Sequence, residues 1–363
     1  MLICAGGHCI HAQKKTQQVP DGVFFKIEGK GLKQPSYALG TMHYVHGDVM
    51  HDVPGLDSIL NTITCLATEL SMDAILHPET VETAPNLKLT RSDSIKANSM
   101  LPEIFEDFAD TSQPDAYTRT LTPEQLDSLD KAMQYLQVDD VIRRMAEMQG
   151  QPVGEGKIYR TANPITLIQL MQALSVTQAA KYYTERGYSM DYQQIDHKIM
   201  LTVNAMNEQR AKDKAAGKAG KDTESIYCVG LDSTYAYRQM QESSTTIKDL
   251  LNDLTTEHLA RLVYNGAINF YRVGTTFEAC EPLYRTGHGK EVVQAMANIE
   301  TRVYNNDLLG DGRNRYWMTQ LPALMSKHST LIAVGLAHLL PTANSEGVLS
   351  MLQKKGYKIT KIL

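Results

Sequence analysis

The sequence predicts an α/β protein: a mostly parallel central sheet assembled from αβ units at the two ends of the chain, with a large helical insertion forming a cap. Three observations lead there. Short, nearly continuous apolar runs occur at Tyr37–Leu39, Ile63–Leu70, Ser225–Leu231 and Thr330–Val334, as strands covered on both faces require. Between the second and third of these, from about residue 101 to residue 224, the apolar spacing becomes mainly that of helices. The terminal strands can then bury themselves only by pairing across that insertion, so residues 20–363 read as a single domain.

Taken in order, Val23–Glu28 and Ser36–Met42 read as two strands joined through Gly29, Gly31 and Pro35, a hairpin-like entry. Asp48–Asn61 is a loop passing into a helix, with Pro54-Gly55 as breaker and Leu56, Ile59 and Leu60 at helical spacing. The strand Ile63–Leu70 ends in Glu69-Leu70. Thr122-Pro123-Glu124-Gln125 is a helix start, with Thr as N-cap, Pro in the first position and Gln reaching back. Helices over Leu126–Leu136 and Val138–Met148 follow. Asn163-Pro164 opens the next, whose core stripe is Ile165, Ile168, Leu170, Met171 and Leu174. Glu208–Glu224 is basic and Gly/Ala-rich and reads as a solvated loop. Ser225–Leu231 returns to strand character and is followed by Asp232. A helical stretch with a break inside it is expected from Ile247 to about Ala279, with Leu250, Leu251, Leu254, Leu259 and Leu262 on its apolar face. Glu291–Tyr304 and Arg313–Ser326 read as two more helices. The chain closes as strand Thr330–Val334, helix Ser345–Lys355, Gly356 as C-cap and strand Tyr357–Leu363.

Bulk properties narrow the function. The 363 residues are 42% apolar and 21% charged, an ordinary globular balance with enough surface for a sizeable core. A formal net charge of −5, without a stripe of basic residues interleaved with aromatics, argues against nucleic-acid binding. No run approaches the ~18–20 apolar residues of a transmembrane helix. The opening MLICAGGHCIHA resembles the back half of a secretory signal without its positive front end. Residues 1–13 are therefore expected to be a leader remnant, and the protein exported, periplasmic or envelope-associated. Removing Cys4 and Cys9 with it would leave Cys65, Cys228 and Cys280, too few for a disulfide framework.

The chemistry is expected where the buried strands end. His43 follows the first parallel run, and Glu69 ends the second, with Asp73 shortly beyond. Asp232 follows the third and His338 the fourth. In open parallel sheets the ligand crevice lies outside the carboxyl ends of the strands, so these groups point toward one edge. Two imidazoles and a carboxylate are a common set of ligands for a divalent metal that keeps an open position. Both histidines stand three residues after a glycine, Gly40 and Gly335, where the backbone turns or closely approaches a ligand. With 24 glycines and 11 histidines, chance alone supplies about 0.7 such pairs, so the context of each pair carries the argument. Alone, either is more simply a hydrogen-bonded loop histidine; together with Glu69 they predict a site. His46 and His51, in a polar loop, are expected to be exposed. Arg313, opening its helix beside Asn314, would grip a substrate carboxylate, orient Glu69 or merely cap a surface helix. There is no Gly-x-Ser-x-Gly elbow, His-Glu-x-x-His, Cys-x-x-Cys or phosphate loop.

Four stretches, YALGTMH (37–43), ATELSMD (67–73), DGRNRYW (311–317) and LIAVGLAHLLPTANSEGVLSMLQKKGYKI (331–359), resemble the TraB/GumN family. That family sits in a superfamily with the Tiki metalloproteases and, more remotely, erythromycin esterase and ChaN-like proteins. The resemblance covers most of the chain from about Phe24, weakest in the helical middle. The family's two Gly-x-x-His motifs and glutamate fall on Gly40/His43, Gly335/His338 and Glu69, and its Arg-Asn pair on Arg313 and Asn314. A Gly-Leu-Glu appears as Gly230-Leu231-Asp232, with a shortened carboxylate, and Asp196 matches a weaker family aspartate. The resemblance implies a metal-dependent, peptidase-like hydrolase preferring manganese or cobalt, with zinc as a further option. On this reading His43, Glu69 and His338 hold the metal, and Glu69 is either third ligand or general base. Arg313 binds a substrate carboxylate or steadies the oxyanion, and the substrate is a peptide or a small amide or ester. The alternative is a non-catalytic protein that sequesters a peptide signal or haem in the same cleft.

Overall fold

The computed structural model describes residues 18–71, 115–148, 150, 155–162, 164–218, 220, 224–232, 255–297, 311–342 and 345–363. The expected leader, Asp73, the helical pattern before residue 115 and Leu250, Leu251 and Leu254 lie outside these.

Six strands form one sheet: β1 (Phe24–Glu28), β2 (Ser36–Thr41), β3 (Cys65–Thr68), β4 (Tyr227–Gly230), β5 (Thr330–Gly335) and β6 (Lys358–Lys361). Their order is β4-β3-β5-β2-β1-β6. The first four positions are mutually parallel, and β1 runs antiparallel to both of its neighbours. The predicted pairing of the chain ends is the register Tyr37↔Leu331 through Thr41↔Gly335. Leu39, Leu66, Ala67 and Leu331–Val334 are buried, which explains why these strands read as continuous apolar runs without alternation.

Helices α1 (Leu56–Thr62), α2 (Ala116–Thr120), α3 (Pro123–Tyr135), α4 (Val138–Met148), α5 (Pro164–Thr184) and α6 (Ile195–Ala215) lie between β2 and β4 in the chain. After β4 come α7 (Thr256–Arg285), α8 (Gly289–Ala297) and α9 (Asp311–Lys327); α10 (Leu336–Leu339) and α11 (Val348–Lys354) follow β5. Helix α3 opens with the predicted capping box, Thr122 and Gln125 each satisfying the other's backbone N–H. There are two cores. One surrounds the sheet, and the other, in the cap, contains Leu129, Met133, Ile142, Tyr159 and Met171. Helices α5 and α7 belong to both: Met171 and Val263 pack in the cap, while Tyr183, Phe277 and Tyr284 pack in the sheet core. No described helix is long and apolar enough to cross a membrane.

Two local expectations fail. Glu208–Ala215 is the last part of α6, not loop, because its Ala, Gln, Arg and Lys are good helix formers even where all-round solvation removes the apolar stripe. Gly217, at φ +79°, follows the end of that helix. The described stretch of α7 is unbroken over 30 residues. His46 is buried, not exposed, because Tyr183, Tyr188 and Tyr192 enclose its ring. Cys65 and Cys280 are free thiols, both buried.

Gly40 sits where the two glycine-histidine units meet. A Cβ there would lie 2.3 Å from Leu336 Cδ1 and 3.0 Å from Leu336 Cα, and Tyr284 donates its hydroxyl to the Gly40 carbonyl at 2.8 Å. Gly40→Ala is therefore expected to destabilise the protein by about 1–3 kcal/mol, read as a fall in the denaturation midpoint.

Candidate functional site

The four parallel strands deliver their next residues to one edge of the sheet. Beyond β3 and β4 the ladder continues, Leu231 N–H to Thr68 O at 2.8 Å and Asp232 N–H to Glu69 O at 2.9 Å, which sets Glu69 and Asp232 side by side. Helix α9 brings Arg313, Asn314 and Trp317 to the same place, one helical turn spanning the arginine and the indole.

Arg313 is the hub. Its Nη2 donates to Glu69 Oε2 at 2.5 Å and also to Asp232 Oδ2, while Nε donates to Asp232 Oδ1 at 3.2 Å. Nη1 lies 3.1 Å from His338 Nε2. Trp317 donates its indole N–H to Asp232 Oδ1 at 2.7 Å, and the guanidinium stands over the indole at 4.9 Å. Glu69 Oε1 accepts the Gly335 N–H at 2.7 Å, so the second glycine-histidine unit binds the glutamate through its backbone as well.

The tautomer of His338 follows from its partners. Arginine has no acceptor, so Nε2 must carry the lone pair, and Nδ1–H donates to Asn314 Oδ1 at 2.9 Å. Asn314 is fixed in turn by donating to Ser345 Oγ at 3.0 Å. Burial pushes the imidazole down to about 4, so at neutral pH it is an uncharged donor of a lone pair. Burial by itself would raise the Glu69 carboxyl, but the Arg313 charge, the neighbouring histidines and the Gly335 N–H together outweigh this and hold it below the usual glutamate value.

His43 belongs to the open side of the site. With Glu69, Thr41, Thr68, Leu70, Asp196, His197, Met200 and Ala333 it lines a cleft of about 340 Å³. Its imidazole keeps 64% of its surface, and its Nδ1 lies 3.6 Å from Asp196 Oδ2. That neighbouring carboxylate raises the His43 pKa against the opposing effect of burial, and the His43 charge is felt at both Glu69 and His338.

The structure thus gathers Glu69, Asp232, Arg313, Asn314 and His338 into one contact network and places His43 and Glu69 on one cleft. Asp232, the shortened carboxylate, is buried and holds Arg313 and Trp317. Sequence reasoning passed over Trp317 and Ser345. The sole tryptophan, four residues after Arg313, was the available signal.

Does the set fit a divalent cation? In kind it does: a neutral imidazole whose Nε2 bears the lone pair, an ionised glutamate that shares one guanidinium with Asp232, and the Asp196 carboxylate facing His43. Among the described residues, however, no three His, Cys, Asp or Glu side chains already converge as ligands. Arg313 bridges His338 Nε2 and Glu69 Oε2, so the positive charge between these two side chains is a guanidinium.

One stability prediction follows from His338. An unfolded histidine takes up its proton near 6.5, whereas the folded one stays neutral to about 4. Between those values the unfolded state binds more protons, so lowering the pH removes stability, by up to about 3 kcal/mol. Denaturation midpoints of metal-free protein should fall across this window, and less steeply in His338→Gln.

No curated protein and no solved structure matches the chain at a significant level. A family match covers residues 23–361, both glycine-histidine units and every residue of the network included. The chain belongs to the TraB/PrgY/gumN family.

Proposed function

We propose that the chain is a metal-dependent hydrolase, peptidase-like, acting on a peptide or a small amide or ester in the cleft that His43 and Glu69 line. The observation that carries this reading is the convergence of the carboxyl strand ends: an ionised glutamate, a buried neutral imidazole and a partly buried arginine in one network, beside an open cleft with a second histidine. His43, Glu69 and His338 would hold the cation, manganese or cobalt first and zinc as a further option. When bound, it would lower the pKa of its water and polarise the scissile carbonyl. The chain's own groups supply the rest. Asn314 keeps the His338 lone pair aimed at the site. Glu69 is either a ligand or the base that takes the water's proton. Arg313, held from behind by Asp232 and Trp317, offers its N–H groups to the charge developing on the carbonyl oxygen or to a substrate carboxylate.

The same arginine supports a rival reading. It already satisfies Glu69 and His338, as a binding protein that sequesters a peptide signal or haem would need. Two measurements separate them. Purified protein with manganese should cleave members of a broad peptide library, with His338→Ala and Glu69→Gln losing at least about 100-fold in rate while their circular dichroism is retained. Calorimetric titration should show manganese binding that weakens in His338→Ala. Undiminished ligand capture with no cleavage by either protein would select sequestration.

A further inference from the structure

The His43 end of the cleft is built by two chain segments zipped together. Tyr192 donates its hydroxyl to Tyr44 O at 2.9 Å, Gly47 N–H to Gln193 O at 2.6 Å and Ile195 N–H to Val45 O at 2.9 Å, with His46 bridged to Gln194. His46 locks the pair from within, its Nδ1 accepting the Asp48 N–H at 3.0 Å and its Nε2 donating to Ser189 O at 3.2 Å. Gly47 makes the approach sterically feasible: a Cβ there would lie 2.5 Å from Lys198 Cβ on α6. These ties flank two side chains, His43 just before the first segment and Asp196 just after the second, and so set them face to face.

The contact that results is specific. Asp196 Oδ2 lies 3.6 Å from His43 Nδ1, longer than a direct hydrogen bond but short enough to close by a small ring movement, as unliganded sites commonly do. Its other oxygen, Oδ1, is buried with no hydrogen-bond partner among the described residues, so the His43 imidazole, with the backbone N–H of His197, is what this carboxylate has to recover its lost solvation. His338 shows the matching arrangement, with an oxygen acceptor at Nδ1 and the lone pair on Nε2.

We propose that Asp196 is the positioning residue of His43. Its carboxylate accepts a hydrogen bond from the Nδ1–H of the imidazole, so that Nε2 carries the lone pair and faces the cleft shared with Glu69. Both histidines then present the same atom to the site, one steered by an amide and the other by a carboxylate. This rests on the reading of His43 as a donor at that site.

The test uses full-length protein labelled with ¹⁵N-histidine, metal-free and at alkaline pH, with the His43 signals assigned by their loss in His43→Gln. The parent is expected to carry its proton on Nδ1 and Asp196→Ala to shift it to Nε2. Asp196→Asn, which keeps an acceptor oxygen and the helix start, should retain much of the Nδ1 form. In parallel, manganese affinity by calorimetry should fall about 10- to 100-fold in Asp196→Ala and less in Asp196→Asn. A His43 tautomer that is the same in the parent and Asp196→Ala overturns the proposal, whatever the manganese affinity does. A tautomer that follows Asp196 while manganese affinity stays constant upholds the positioning, and the ligand role given to His43 fails instead.

Discussion

The partly buried guanidinium of Arg313 is the charge on which the carboxyl edge of the sheet depends. Two carboxylates side by side at the ends of adjacent strands, Glu69 and Asp232, would repel one another and lose their hydration. Arg313 answers both, and its Nε, Nη1 and Nη2 all find partners, so no donor nitrogen is stranded. Trp317 supports the arrangement from below, stacking on the guanidinium and binding the same aspartate. Without that cation, Glu69 would lose the largest of the contributions that keep it ionised at its depth.

The two glycine-histidine units look alike in sequence but differ physically. His338 is buried, neutral and tied to an amide chain through Asn314 and Ser345. His43 is largely exposed and faces a carboxylate. The first has a fixed tautomer before any ligand arrives, while the second stands at the cleft wall, where the ring can move. Membership of the TraB/PrgY/gumN family joins the two units in one chain, and the difference in surroundings is what the folded protein adds.

Much of this was legible beforehand, and for a reason. Parallel strands buried on both faces must be apolar throughout, so a titratable residue just after such a run stands out; that is how Glu69, Asp232 and His338 were found. Arg313 was visible as a cation at a helix start, but its role was not, since a surface cap has the same sequence. The burial of His46 was hidden because the three tyrosines that enclose it come from residues far along the chain. The tail of α6 escaped for the opposite reason: with no face to bury, its helix leaves no apolar period to read.

Strand β5 lies between β3 and β2 although it is almost the last element of the chain to be made. During synthesis the sheet is therefore missing its middle until Thr330–Gly335 leaves the ribosome, and the facing edges of β3 and β2 have no strand to close against. Such non-local pairing gives a high contact order and slow final assembly. It also withholds His338 and the Gly335 amide from Glu69 until then, so a nascent chain cannot hold a finished site before the whole fold is committed.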